Sequence, residues 1–398
     1  MTPGPGVRNT PLPKGFFASG VNCGVRRYRP DIGMIISEVP AVAAGVFTLN
    51  ECKAAPVRYS QALLPADNIR AILTNSGQAN AATGAEGVEK NLMMVSAAAK
   101  SLKCDSNQVL VASTGVIGVQ LDIEKILPSM NELVERANDI AESFATAILT
   151  TDLVPKTATA EVELSTGTVR ITGISKGSGM IHPNMATMLG YILTDAKITK
   201  EYANELVKKS SDLSFNMISV DGDSSTNDCN FIMANGASGV ELKTQGDFEK
   251  FEDTVNKISI FLAKSIAADG EGATKLIEVE IKGSDDLQLA RKAARGVTLS
   301  PLIKTAIHGE DSNWGRILAR IGAEGIPAAQ LDKMTLHLQG VLLFEKGRPV
   351  AFEKAAVKAL LKSSQVKIEI DLKTGTQTAT AWGCDLSKKY VEINTEYS

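Results

Sequence analysis

The segment KGSGMIHPNMATMLGYILTDA spans residues 176–196 and joins two different kinds of sequence. It begins with a lysine and two glycines, crosses Pro183 and reaches the small pair Ala186-Thr187. The mostly apolar run 188–193 follows at once and indicates a buried strand. A threonine that follows a flexible approach and begins a rigid strand has its hydroxyl held in place. The segment therefore makes Thr187 a candidate nucleophile.

A threonine nucleophile needs a base, and the sequence offers few. It contains three histidines, His182, His308 and His337, and none has metal-ligand spacing or an obvious triad partner. The α-amino group of a chain terminus, with a pKa of about 7.7 to 8.0, is an alternative base. It becomes available if the chain is cut directly before Thr187. From the residues alone, a threonine at a strand start is more commonly structural.

Composition excludes several classes of protein. The 398 residues are 44% hydrophobic and 22% charged, with a net charge of −3, which gives no reason to expect nucleic acid or an anionic membrane as partner. No apolar run approaches 18 residues, and the first 16 residues do not resemble a secretory signal. We therefore expect a cytoplasmic protein whose cysteines are reduced and mostly buried. The cysteines are 23, 52, 104, 229 and 384.

Common cofactor motifs are absent from the sequence. There is no GxxxxGK[ST] phosphate loop, no complete GxGxxG fingerprint and no GxSxG nucleophile elbow. The acidic stretch 221–228 lacks the closing glutamate of an EF-hand, so we interpret it as a polar turn that supports a site. We expect no metal and no cofactor.

Strand and helix patterns alternate without a regular βαβ rhythm, which favours an α/β protein of α+β layers. The helical patterns cover 88–102, 133–148, 202–215 and 248–266. The strand patterns are 34–39, 44–48, 71–74, 109–112, 168–174, 188–193, 276–281, 336–338, 341–344, 366–372 and 376–382.

Eight blocks of the sequence resemble, in order, blocks of the ornithine acetyltransferase (glutamate N-acetyltransferase) family of arginine biosynthesis. The resemblance covers essentially the whole chain, and the blocks around Thr114, Thr187 and Glu271 are the most specific. The blocks are TNSGQANAATG (74–84), ASTGVIG (112–118), TTDLVPK (150–156), KGSGMIHPNMATML (176–189), DGDSSTND (221–228), DGEGATK (269–275), KTAIHGEDSNWGR (304–316) and YVEINTEYS (390–398).

The resemblance implies autocatalytic cleavage between Ala186 and Thr187. An α chain of residues 1–186 and a β chain of residues 187–398 would remain one folded unit. The family fold is a layered α/β sandwich with an N-terminal nucleophile, related to certain self-processing aminopeptidases. Family members are usually heterotetramers of two α and two β chains.

The resemblance also implies a role for each matched residue. Thr187 would be the nucleophile, and its freed amine the base, in a ping-pong transfer of acetyl from N2-acetyl-L-ornithine to L-glutamate. Thr114 and Gly115 would form the oxyanion hole. The implied substrate-binding residues are Thr150, Lys176, Thr187, Glu271, Asn394 and Ser398. Many family members have threonine at the last position, where this chain has Ser398.

Several alternatives stay open at this point. Water in place of glutamate would make the protein an N-terminal-nucleophile amidase or aminopeptidase, and an uncut chain would be a binding protein. Thr151 adjoins Thr150, and the sequence does not separate their roles. The sequence also leaves open whether acetyl-CoA is a second acetyl donor.

Overall fold

The structure is a computed structural model that describes residues 9–182 and 188–396. Fifteen strands lie in this described part of the chain. They are β1 Phe16–Val21, β2 Ile32–Phe47, β3 Ala66–Gln78, β4 Val109–Val116, β5 Lys156–Leu164, β6 Gly167–Lys176, β7 Leu189–Thr194, β8 Ile218–Ser219, β9 Cys229–Ala234, β10 Leu276–Ser284, β11 Thr335–Leu338, β12 Val341–Glu345, β13 Arg348–Pro349, β14 Gln365–Asp371 and β15 Gln377–Cys384.

Helices separate many of these strands. Among the described residues, none of the helices is both long enough and apolar enough to cross a membrane. The α-helices are α1 Ala55–Leu63, α2 Gly84–Leu102, α3 Ile123–Ile126, α4 Met130–Glu135, α5 Glu142–Ala147, α6 Lys200–Leu213, α7 Gln245–Ala268, α8 Leu287–Leu299, α9 Pro301–His308, α10 Trp314–Ala323, α11 Ala328–Leu331, α12 Lys354–Leu360 and α13 Lys388–Thr395.

The chain folds into two compact units, and each contains one sheet. The first unit comprises the described residues of 1–177, 183–216 and 224–266. Its strand order is β4-β3-β2-β9-β7-β6-β5, and β1 pairs with β2. The interior strand β7 runs antiparallel to β6 and parallel to β9.

Alternating side chains of the first sheet enter two separate cores, as the two-residue period of a strand requires. Ile72 and Leu110 point to a core that contains Phe144 of α5 and the aromatic residues Tyr191 and Phe231. The neighbouring Leu73 and Val111 belong to a core with α2 and α4. The first sheet is thus buried on both faces, which holds its strand ends rigidly.

The second unit comprises 178–182, 217–223 and the described residues of 267–398. Its sheet has the order β13-β12-β11-β14-β10-β15-β8. Helix α8 buries a small-residue face that contains Ala290, Ala293, Ala294 and Val297. Small side chains at these positions let a helix approach closely to its neighbours.

The predicted mixed α/β class is confirmed, and most predicted elements appear with shifted bounds. The stripes at 88–102, 202–215 and 248–266 correspond to α2, α6 and α7. The two strands expected at 34–39 and 44–48 are parts of one long strand, β2.

The single helix predicted over 133–148 is wrong. Helices α4 and α5 are separated there because the intervening chain bonds to the start of the protein. The Asp139 carbonyl accepts from Leu12 N–H, and Asn138 exchanges backbone bonds with Ala18. Backbone groups that pair with β1 are not available for a helix, so tertiary pairing overrides the apolar period.

Helix α2 buries Met94, Val95 and Ala98, but one expectation about burial fails. The cysteines are not mostly buried. Cys229 and Cys384 are buried, Cys23 and Cys104 are half-buried, and Cys52 is exposed.

Candidate active site

The ends of β3 and β4 form a close backbone contact at one of the predicted site residues. The two strands are parallel, and Gly77 pairs with Gly115. Gly115 has a φ of +132°, and a Cβ at this position would lie 2.2 Å from the carbonyl carbon of Gly77. Only glycine fits such a position, so the Gly115 N–H is fixed directly after the Thr114 hydroxyl.

Asn227 joins these strand ends to the segment that precedes β9. Its side-chain amide donates to the carbonyl oxygens of Ala79, at 2.6 Å, and Ser113, at 2.8 Å. The Ser113 hydroxyl in turn donates to the Asn75 side chain at 2.6 Å. The polar turn predicted at 221–228 therefore does support the strand ends, through a buried amide that satisfies two carbonyls.

Lys176, the last residue of β6, lies against two threonine hydroxyls. Its ammonium donates to Thr150 Oγ at 2.8 Å and to Thr114 Oγ at 3.3 Å. The lysine side chain is 8% exposed. The structure thus brings together three of the predicted site residues, Thr114, Thr150 and Lys176. It also distinguishes Thr150, whose hydroxyl contacts the lysine, from the adjacent Thr151.

Asp152 contacts several members of this cluster, and its role was not predicted from the sequence. Its buried carboxylate accepts from the backbone N–H of Gly177 at 2.7 Å and of Thr150 at 3.1 Å. The Lys156 ammonium lies 2.8 Å from Oδ1, and the Lys176 ammonium lies 3.6 Å from Oδ2. Asp152 and Lys156 both belong to the TTDLVPK block, and this block was the signal in the sequence that could have identified them.

The charges around Asp152 explain its ionisation. Burial alone would raise the pKa of this carboxyl. The ammonium groups of Lys156 and Lys176, with the Gly177 N–H, outweigh burial and hold the pKa of Asp152 well below its usual range. The carboxylate is therefore ionised, and it joins the backbone that follows Lys176 to the backbone of Thr150.

The pKa of Asp228, directly before β9, is shifted in the opposite direction. Burial raises its pKa well above the usual value, although Ser225 and the Lys176 charge oppose the change. Its Oδ2 finds no hydrogen-bond partner among the described residues. Beside it, the Cys229 N–H donates to the carbonyl of Met188, the residue that follows Thr187 in the chain. A buried carboxyl in this state is a common feature of functional sites.

Glu271 and Asn394, two further predicted residues, contact each other in the second unit. The Asn394 side-chain amide donates to Glu271 Oε2 at 2.8 Å. A Cβ at Gly179 would lie 2.4 Å from Glu271 Oε1, so this glycine leaves room for the carboxylate. Helix α13 thus places the end of the described chain on the predicted glutamate.

Two of the histidines, His182 and His308, make side-chain contacts within the second unit. His182 contacts the Ser219 hydroxyl and Arg295, each at 3.1 Å. Burial and the nearby Arg295 charge lower the pKa of His182 to about 4, so it is neutral. His308 contacts Asp385 at 2.7 Å. Within 9–182 and 188–396, no group of three or more His, Cys, Asp or Glu side chains is arranged to hold a metal ion.

Three predicted residues are not placed by the structure. Ala186 and Thr187, at the predicted cleavage site, and Ser398 lie outside the described residues. Their roles stay predictions from the sequence.

Comparison with known proteins shows that the chain resembles enzymes of arginine biosynthesis. An arginine biosynthesis bifunctional protein ArgJ from Thermotoga neapolitana is 46% identical over 397 residues, covering 97% of this chain and 99% of that protein. The protein of the same name from Oceanobacillus iheyensis is 45% identical over 388 residues, with 97% and 95% coverage.

A solved structure and a family profile lead to the same family. The crystal structure of ArgJ from Bacillus halodurans is 40% identical and matches with a TM-score of 0.51, covering 53% of this chain and 100% of that chain. The profile of the ArgJ family matches residues 17–398. This chain belongs to the ArgJ family.

Proposed function

We propose that this chain is a glutamate N-acetyltransferase of arginine biosynthesis that moves acetyl from N2-acetyl-L-ornithine to L-glutamate. The observation that carries the proposal is the Lys176 ammonium, held on the Thr150 and Thr114 hydroxyls beside the constrained Gly115. Acyl transfer needs fixed donors for an oxyanion and a cation for a substrate carboxylate, and this cluster supplies both.

The proposed reaction has two halves. The Thr187 Oγ attacks the acetyl carbonyl, and the α-amine of Thr187 takes the hydroxyl proton and passes it to the departing ornithine amine. The Thr114 hydroxyl and the Gly115 N–H donate to the oxyanion. The amine of glutamate then attacks the acetyl-threonine ester, and N-acetyl-L-glutamate leaves while Thr187 regains its proton.

The substrate-binding roles follow from charge. Lys176 pairs with the substrate carboxylate, and Thr150 supports it by hydrogen bonding. Glu271, oriented by Asn394, pairs with an ammonium group of the amino acid substrate. Ser398 adds a hydroxyl to the same set of binding groups.

Cleavage between Ala186 and Thr187 is part of the proposal, because the base does not exist in the uncut chain. The solved ArgJ chain is covered over its whole length and spans 53% of this chain. The proposed β chain, 212 of 398 residues, is also 53% of the sequence. The match in size supports a protein that functions as two pieces.

The remaining features of the proposal concern setting and assembly. We infer a cytoplasmic heterotetramer of two α and two β chains that binds amino acids and no nucleic acid or membrane. The chemistry uses only hydroxyl and amine groups, so no cofactor is included. Acetyl-CoA would act as a second acetyl donor to Thr187 if the enzyme is bifunctional.

The test begins with the intact protein, N-acetylornithine and glutamate. We expect ornithine and N-acetylglutamate in equal amounts, and two pieces on a denaturing gel. Free acetate without N-acetylglutamate would favour the amidase, and one uncut 42.2 kDa chain without turnover would favour a binding protein. The Thr187→Ala variant should stay uncut and inactive. A parallel assay with acetyl-CoA and glutamate decides bifunctionality.

A further inference from the structure

Lys176 determines the direction of the hydrogen bonds that it makes with two threonine hydroxyls. An ammonium donates hydrogen bonds and cannot accept them. The oxygens of Thr150 and Thr114, at 2.8 and 3.3 Å, must therefore accept from Lys176. Each hydroxyl then keeps its own proton for a different acceptor, which is what an oxyanion donor at Thr114 requires.

Asp152 competes with these hydroxyls for the same ammonium. Its Oδ2 is 3.6 Å from Lys176 Nζ, and the carboxylate is fully buried, where attraction between charges is strong. A lone buried carboxylate at this distance would draw Lys176 away from the weaker dipoles of the hydroxyls.

Lys156 reduces this competition. Its ammonium lies 2.8 Å from Asp152 Oδ1, closer than Lys176, and also donates to the Val154 carbonyl at 3.2 Å. Its side chain is 1% exposed, so the contact is protected from water. Asp152 thus has a nearer counter-charge than Lys176.

We propose that Lys156 is a positioning residue that acts through Asp152. The Lys156 ammonium balances the charge of the Asp152 carboxylate, so that Lys176 stays on the Thr150 and Thr114 oxygens. The Thr114 hydroxyl proton then stays available for donation to the oxyanion. This inference rests on the proposed acetyl transfer and adds two buried residues to it. Lys156 itself touches neither the oxyanion nor the substrate.

Lys156→Met is the direct test. Both kcat and KM are measured for acetyl transfer, normalised to cut chain, with the melting temperature as a check of folding. We expect kcat to fall at least about tenfold, towards the 10²–10³ of a lost oxyanion donor. Lys156→Arg, which keeps the charge, should retain kcat within about threefold. The exposed-lysine control Lys208→Met should match the wild type.

A double-mutant cycle separates positioning from a general structural effect. In a Thr114→Val background the hydroxyl is gone, so Lys156→Met should lower kcat by less than about threefold more. An equal loss in both backgrounds would overturn the proposal, as would unchanged kcat in folded Lys156→Met. If the Met variant does not fold, Lys156→Gln serves, since it offers a donor without charge. Wild-type kcat in that variant would also overturn the proposal. An inactive wild-type chain would instead overturn the proposed function.

Discussion

At the scale of single residues, Gly115 shows how tightly the candidate site is built. Its Cβ position lies 2.2 Å from Gly77, and its φ is +132°. Gly118, three residues further on, also has a positive φ, +80°, but open space around its Cβ position. The two glycines, three residues apart, therefore separate the effect of backbone strain from that of steric contact.

Gly115→Ala should be far more harmful than Gly118→Ala. A side chain at positive φ costs about 1–2 kcal/mol, and we expect Gly118→Ala to lose about this much stability. Gly115→Ala adds a clash with the β3 backbone and displaces an oxyanion donor, so kcat should fall by about 10² or more. Thermal melting and kcat measure both effects. Equal behaviour of the two variants would show that the Gly77–Gly115 contact is unimportant.

Asp152 is a residue whose importance comes from its surroundings. Its type and position were visible in TTDLVPK, yet an aspartate in a loop is ordinary on the surface. Its importance comes from complete burial between two lysines that lie 4 and 24 residues further along the chain. The sequence alone does not show that those three charges meet.

At the scale of elements, the candidate site depends on the ends of strands from one sheet. Strands β3 and β4 end beside each other, β6 ends at Lys176, and β9 begins directly after Asp228. Asn227 links three of these ends by donating to Ala79 and Ser113. The side chain thus aligns the end of β4, which contains Thr114.

Asn227→Ala should loosen this arrangement. Two buried carbonyls would each lose a donor, at about 1–3 kcal/mol each, so we expect a loss of about 2–6 kcal/mol in unfolding free energy. Denaturant unfolding measures that loss, and kcat should fall with it. Asn227→Asp is the matched control of equal size, and it should fail similarly because it also lacks the amide donors. A stable, active Asp variant would contradict the role of the donated bonds.

At the scale of the whole molecule, the proposed cut does not follow the compact units. Strands β7 and β9 belong to the proposed β chain, yet they lie in the sheet of the first unit, between β6 and β2. Six residue pairs join β6 to β7, and six join β2 to β9. Backbone pairing within a buried sheet would hold the cut pieces together.

The cut protein should therefore behave as one particle until it unfolds. We expect both pieces to elute together in native size-exclusion chromatography and to separate only in denaturant. Thr187→Ala, which cannot form the terminal threonine, provides the uncut reference. Separation of the pieces under native conditions would contradict the shared sheet.

Stability should also depend on pH through two buried aspartates of opposite character. The pKa of Asp152 is lowered, so its contribution is present above its ordinary pKa of about 3.9 and is lost as pH falls. The pKa of Asp228 is raised, so its contribution is present below the ordinary pKa and is lost as pH rises. Asp228 therefore opposes folding at neutral pH.

Asp228→Asn should raise the melting temperature at pH 7.5, by roughly 2 °C, because the neutral amide avoids burial of a charge. The difference should shrink near pH 4, where the carboxyl also binds a proton in the unfolded chain. Exposed Asp67→Asn should show neither effect. If Asp228→Asn destabilises the protein equally at both pH values, burial of its charge is not the cause.

Much of the architecture was predictable because it depends on local patterns. Short apolar or alternating runs marked β3, β4, β6 and β7, and apolar period 3.6 marked α2, α6 and α7. The break between α4 and α5 was not predictable, because it depends on backbone bonds from Asn138 and Asp139 to Ala18 and Leu12, more than a hundred residues away. Local propensity contains no record of such distant pairing.

The family, the mixed α/β class and the candidate residues Thr114, Lys176, Glu271 and Asn394 followed from the amino-acid sequence, since ordered motifs identify chemistry without coordinates. Which of these residues meet became known only from the fold. It placed Lys176 on Thr150 and Thr114, made Gly115 obligatory, and gave Asp152 and Asp228 opposite pKa shifts. The physical reason is that electrostatic and steric effects depend on distance and burial, which strand pairing between remote segments creates.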